Sequence, residues 1–342
     1  MVIKTSDLLM FLHTAVQNKL SGITEIFLPS SPRWEAGPVT QFSPLKTATA
    51  PILDSFRTVD PVKILFYLTR ERLNDDRQPP KRLIVGVKAC DLKALLLLDD
   101  ALMNGDVVDP VYAAWRQNSI VVASDCGDIG ETCHCTLVDG KPWSEAGFDV
   151  NLAAAGDTYW ATAGSAKGEE LLQLISAHVK TVPDDPEIIQ QVEARRQAIV
   201  ERLRRQNQPF ERDARYPKYR FADEAVWKAG EETCVGCGAC TNICPTCYCL
   251  ILNDESKDGR FIKERSYDSC QWNGYARVAG GGTPRPKMVD RFRNRYLCKF
   301  DYMEHNFGRI GCTGCGRCTE ACAGKIDFRK VVKSVETALQ AA

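Results

Sequence analysis

A chain of 342 residues, 44% of them apolar and 26% charged, holds enough material for two domains and at least one large core. Its 44 basic and 44 acidic side chains cancel, so no whole-molecule field draws it toward nucleic acid or an anionic membrane surface. Uninterrupted apolar runs are short, as at 94–98 and 247–252, far below the roughly 20 residues of a spanning helix, so the chain is not expected to be integral to a membrane.

The first residues, Met-Val-Ile-Lys-Thr-Ser-Asp, carry neither a charged-then-apolar export pattern nor a twin-Arg signal, which predicts a cytoplasmic location. A helix is predicted near 6–18. Residues 81–87 read as a buried strand, 91–103 as the helix after it, and 119–123 as a second strand; another helix falls near 168–179. Strand, turn, helix, strand in that order predicts an α/β domain over 1–182. Asp185 and Pro186 form a helix start, and Ile188, Val192, Ile199 and Leu203 then share one face of a helix running to about Arg205. Residues 206–222 read as an extended linker, so 183–222 is a helical connector and linker. A cysteine domain follows over 223–342.

Sixteen cysteines in a long, unsignalled chain, clustered at ligand spacing, point to metal ligands in a reducing compartment rather than to disulfides. Residues 234–244, CVGCGACTNIC, and 312–322, CTGCGRCTEAC, both carry C-x2-C-x2-C-x3-C. Three thiolates spaced this way on a tight loop reach three corners of one cubane, and the fourth faces away toward the other cluster. That logic gives Cys234, Cys237, Cys240 and Cys322 one [4Fe–4S] cluster, and Cys312, Cys315, Cys318 and Cys244 the other. Gly236, Gly238, Gly314 and Gly316 let the backbone approach and aim N–H groups at cluster sulfur. Zinc sites usually draw on two separated pairs, so four thiols in eleven residues favour iron–sulfur. Pro245 follows Cys244, whereas Ala323-Gly324 follows Cys322, a departure that alters shielding more than ligation.

The 67 residues at 245–311 are too many for a compact two-cluster ferredoxin and fit a helical dicluster module. They include a basic stretch, Arg285, Lys287, Arg291, Arg293, Arg295 and Lys299, which reads as a solvated face or a collar easing cluster charge. Cys90 and Cys126 each follow a predicted strand, and Cys133 and Cys135 a Gly-rich loop. Parallel neighbouring strands would bring these thiols to one sheet edge, making a third [4Fe–4S] site there; buried free thiols are the competing reading. His134, between two of them, could replace a thiol as ligand, but an exposed His between two ligands is the blander expectation. Cys247, Cys249, Cys270 and Cys298 read as small packing residues near the clusters, with a further ligand site as the alternative.

At GVKACDLKALLLLDD, DCGDIGETCHC, GFDVNLA, GSAKGEELL and CVGCGACTNICPTCYC the sequence resembles the iron–sulfur β subunit of soluble sulfhydrogenases and the A subunit of anaerobic sulfite reductase, with relatives beside heterodisulfide-reductase-type complexes. The resemblance runs from about residue 40 to about 330. It implies an α/β N-terminal domain plus a mainly α-helical, ferredoxin-like dicluster domain. It also implies an electron relay between a flavin subunit that oxidises NAD(P)H and a catalytic or bifurcating partner. No G-x-G-x-x-G follows a strand, so no flavin or NAD is expected on this chain. The alternatives are an enzyme using an open cluster position directly, which normally needs a three-Cys site, and a zinc-dependent binding module.

Overall fold

The strands expected around 81–87 and 119–123 lie side by side in the middle of an eight-stranded sheet. The computed structural model describes residues 1–31, 40–48, 51–73, 78–211 and 219–341. The chain enters through β1 (Val2–Lys4), α1 (Thr5–Gln17), β2 (Glu25–Ser30), β3 (Gln41–Pro44) and β4 (Arg70–Arg72). Then come β5 (Arg82–Val87), α2 (Ala89–Leu102), α3 (Pro110–Gln117) and β6 (Ser119–Ser124). After them run β7 (Val150–Ala155), β8 (Thr158–Ala163), α4 (Ala166–His178) and β9 (Thr181–Val182). The sheet order is β3-β2-β5-β6-β7-β8-β1-β9, with β2, β5, β6 and β7 parallel and the outer strands antiparallel.

Leu83 stands opposite Ile120, Ile84 opposite Val121 and Val85 opposite Val122. Every residue of β5 and β6 is buried because both faces are covered, as parallel strands require. Side-chain alternation divides them. Leu83, Val85, Ile120 and Val122 join Phe11 and Leu12 of α1 and Leu171 and Ile175 of α4, while Ile84, Val87 and Val121 join Leu92, Leu95 and Leu98 of α2.

The long helix α5 (Pro186–Asn207) starts where the sequence indicated, with the Asp185 carboxylate accepting from the Glu187 N–H at 2.9 Å. Part of the expected linker is ordered differently. The helix continues to Asn207, and short 3-10 turns occupy Gln208–Phe210 and Tyr219–Phe221, the latter pinned by fully buried Tyr219. The rest of that prediction, 212–218, lies outside the described residues.

The C-terminal part contains α6 (Glu224–Glu231), α7 (Ala239–Asn242), the hairpin β10 (Leu250–Lys257) and β11 (Arg260–Tyr267), and α8 (Met288–Leu297). A π-helical turn at Cys298–Tyr302 leads into α9 (Met303–Phe307), followed by α10 (Arg317–Glu320) and α11 (Phe328–Ala341). Trp227, Phe292, Tyr296, Phe300, Phe328 and Val332 form its core, with Tyr296 and Phe328 stacked at 4.7 Å.

The hairpin departs from a purely helical reading of 245–311. Its turn is Asp258-Gly259, both at positive φ (51° and 69°), the two-residue geometry that matches strand twist. β11 also pairs antiparallel with β4, so this insertion extends a strand from the N-terminal part. Arg265 locks the join: fully buried, it pairs with Glu71 and Asp109 and lies 4.0 Å over the Tyr67 ring. No described helix is long and apolar enough to cross a membrane.

Candidate metal centres

Cys90 lies in the first turn of α2, just after β5, and Cys126 lies two residues beyond β6. The parallel pairing of those strands delivers both thiols to the same sheet edge. The loop then turns back on itself, the Cys133 N–H donating to the Gly130 carbonyl at 3.0 Å. Cys90, Cys126, Cys133 and Cys135 consequently line one cavity, joined by Arg57 and by Cys315 from the second long run. Burial pushes the Cys126 thiol up to about 12 and raises Cys133 and Cys135; burial and then the Asp91 carboxylate raise Cys90. Ligation must therefore displace protons from these thiols.

His134, expected to be exposed, is buried. The dicluster run covers its loop: Nδ1–H donates to the Thr132 carbonyl at 2.9 Å, Nε2 lies 3.8 Å from Cys312 Sγ, and the ring stacks on Phe328. The His134 N–H donates to the Gly314 carbonyl at 2.8 Å, and the Thr132 hydroxyl donates to the Gly316 carbonyl at 3.1 Å. Gly314 and Gly316 sit at φ +68° and +73°, and a Cβ on either would stand 2.3 Å from Cys135 Cα or the Thr132 carbonyl oxygen. These two glycines thus have a second reason beyond an approach to cluster sulfur. They admit a loop from the sheet domain.

In the dicluster part, α7 and α10 each begin after a left-handed glycine, Gly238 and Gly316, and place Cys240 and Cys318 in their first turns. Cys234, Cys237 and Cys240 line a cavity with Cys322, and Cys318 forms part of its wall. Cys244 stands elsewhere, close enough to Cys312 and Cys318 for its charge to raise both thiols beyond what burial does; Cys312 reaches about 12. In space, Cys322 thus shares a cavity with Cys234, Cys237 and Cys240, and Cys244 lies near Cys312 and Cys318. The remaining four, Cys247, Cys249, Cys270 and Cys298, all line a further, separate cavity.

Buried cations surround these thiols. The basic stretch divides: Lys287 is exposed, but Arg291, Arg295 and Lys299, four residues apart, are buried on one face. Burial alone would lower Arg295, yet thiolate charge at Cys240 and Cys318 would hold it well above its ordinary value. Its buried Nε has no hydrogen-bond partner among the described residues. Arg57 Nε donates to the Cys315 carbonyl at 2.6 Å. Lys88, buried, donates to the Leu53 and Asp125 carbonyls. Sequence reasoning missed Arg57, Lys63 and Lys88, which carry no local signature, and also Arg317, although it lies inside the second run.

This donor set fits iron–sulfur clusters. Thiols stand around volumes, glycine turns bring backbone close, and cations offset the negative charge of thiolate-ligated cubanes. Among the described residues no three His, Cys, Asp or Glu side chains close on a point as a single ion requires.

The 4Fe–4S dicluster domain family matches residues 233–326. The β subunit of sulfhydrogenase 2 from Pyrococcus furiosus is 32% identical over 299 residues, covering 84% of this chain and 86% of that protein. No solved structure matches the chain. A resemblance spanning most of both chains, with the doubled cysteine run inside the matched dicluster domain, places this chain in the family of sulfhydrogenase β subunits, iron–sulfur electron-transfer components of oxidoreductases.

Proposed function

We propose that this chain relays electrons between a flavin subunit that oxidises NAD(P)H and a catalytic or bifurcating partner of a cytoplasmic complex. One observation carries this reading: a single thiol run borders both neighbouring sites. Cys315 lines the cavity of Cys90, Cys126, Cys133 and Cys135, and Cys318 lines that of Cys234, Cys237, Cys240 and Cys322. Three [4Fe–4S] clusters in series follow, the middle one held by Cys312, Cys315, Cys318 and Cys244. Residues 1–182 carry the first site, 183–222 connect, and 223–342 form a ferredoxin-like dicluster unit. Hydride chemistry belongs to the partner.

The test is anaerobic. Dithionite should bleach the visible absorbance of the purified chain, and NADPH or NADH alone should leave it unchanged until the flavin subunit is added. Rapid bleaching by a pyridine nucleotide in a flavin-free preparation would refute the relay.

A further inference from the structure

Cys247, Cys249, Cys270 and Cys298 belong to none of the three sites above. They come from three separate places: the loop after Cys244-Pro245, the segment after β11, and the first position of the π-helical turn. All four line one cavity of about 640 Å³. Thiols used only for packing need not share a cavity, whereas these four line the same one. The turn at Cys298 matters too, because a π-type insertion re-aims side chains and such insertions concentrate at functional sites.

Tyr275 lies on the wall of the same cavity, with its hydroxyl 3.8 Å from Cys249 Sγ. Two buried ammonium groups flank the segment around Cys247. Lys63 Nζ donates to the Cys244 and Cys247 carbonyls at 2.8 and 2.9 Å, and Lys299 Nζ donates to the Thr246 hydroxyl at 2.7 Å. Neither has a carboxylate partner among the described residues; the anionic groups they face are the thiols at Cys244 and Cys247.

We infer that Cys247, Cys249, Cys270 and Cys298 hold a further [4Fe–4S] cluster. Four thiolates around a cubane give a net anionic group, which Lys63 and Lys299 would face on the Cys247 side as they face the cluster of Cys244 on the other. The site adjoins the dicluster: Cys247 follows Cys244 by three residues, and Arg295 lines both this cavity and that of Cys234, Cys237, Cys240 and Cys322. Its cavity opens between the hairpin and the segment before α3, past exposed Val107, Val108 and Leu252. Electrons thus have an exit that does not pass through the sheet-domain site.

The full chain, produced in iron-57 medium and purified anaerobically, should contain about sixteen iron and sixteen sulfide. Cys249→Ser, at a half-buried position, should lose about four of each while the EPR signals of the two dicluster clusters persist. Cys126→Ser, run in parallel, should independently lose about four, which separates failure of this site from failure of the sheet-domain site. Full iron and sulfide in Cys249→Ser overturns the proposal. So does a loss of zinc without loss of sulfide. If Cys249→Ser does not fold, the wild-type count decides: about twelve iron or fewer, with Cys126→Ser still losing four, also overturns it.

Discussion

Arg317 stands between Cys315 and Cys318 and reaches into the sheet domain. Its guanidinium, 1% exposed, holds the equally buried Asp91 carboxylate through bonds of 2.8 and 2.7 Å. It also donates to the Thr58 and Val59 carbonyls, both at 2.9 Å. Burial favours the neutral form, but the Asp91 charge prevails and keeps the guanidinium well above its ordinary pKa. Arg317→Met retains bulk and removes every one of these bonds, stranding a carboxylate one residue from Cys90. Breaking a buried pair from one side costs about 3–5 kcal/mol, a factor of about 100 to several thousand. Asp91→Leu strands the guanidinium and should cost a similar amount. Replacing both should recover most of the loss, because an apolar pair of similar volume is often neutral. A cofactor-laden chain does not unfold reversibly, so the readout is the rate of visible bleaching in mid-range urea without oxygen. Only the part of the loss absent from the unfolding transition state speeds bleaching, so each single variant should bleach at least about tenfold faster, and the double variant within about threefold of wild type. A single variant within threefold of wild type, or a double variant showing the sum of both losses, would refute the reasoning.

Cys322→Ser should remove the same EPR signal as Cys234→Ser and leave the one lost in Cys315→Ser, because Cys322 lines the cavity of the first run; coincident loss in Cys322→Ser and Cys315→Ser would rule out crossed ligation. Cys126→Ser and Cys133→Ser should each lower iron and sulfide by about four per chain, whereas packing thiols would leave both unchanged. Gly314→Ala should speed urea-induced bleaching as strongly as a core cavity does, since its Cβ overlaps the Cys135 backbone at positive φ; the milder Gly156→Ala, with no atom within 4 Å of its Cβ, is the control.

Thiol spacing made the two long runs legible, because a cubane's ligand geometry is written into eleven residues. The parallel pair β5 and β6 was legible as well, each a short apolar run followed at once by a turn. Other elements hid their identity. β7 is Val-Asn-Leu-Ala-Ala-Ala, poor in strand formers, and its state comes from pairing with β6 and β8. β10 carries Asn253, Asp254 and Glu255 mid-strand, which masks the alternation and leaves Asp258-Gly259 as the readable hairpin cue. The cationic shell was unreadable because its bonds span the chain: Arg317 reaches Asp91 across 226 positions and Lys63 reaches Cys244 across 181. His134 was misjudged for the same reason, its cover coming from residues far along the sequence.

Cys322 closing the cavity of Cys234, Cys237 and Cys240 bears on how the protein is made. From the moment Cys240 leaves the ribosome until Cys322 does, three of those thiols are exposed without the fourth. At roughly 5–20 residues per second that interval lasts about 4 to 16 seconds. During it the nascent chain presents a three-thiol half-site, able to seize stray iron, zinc or oxidant. A complete four-thiol site in this region therefore exists only once Cys322 is out, and its yield should depend on how well the cell shields unfinished chains as well as on iron supply.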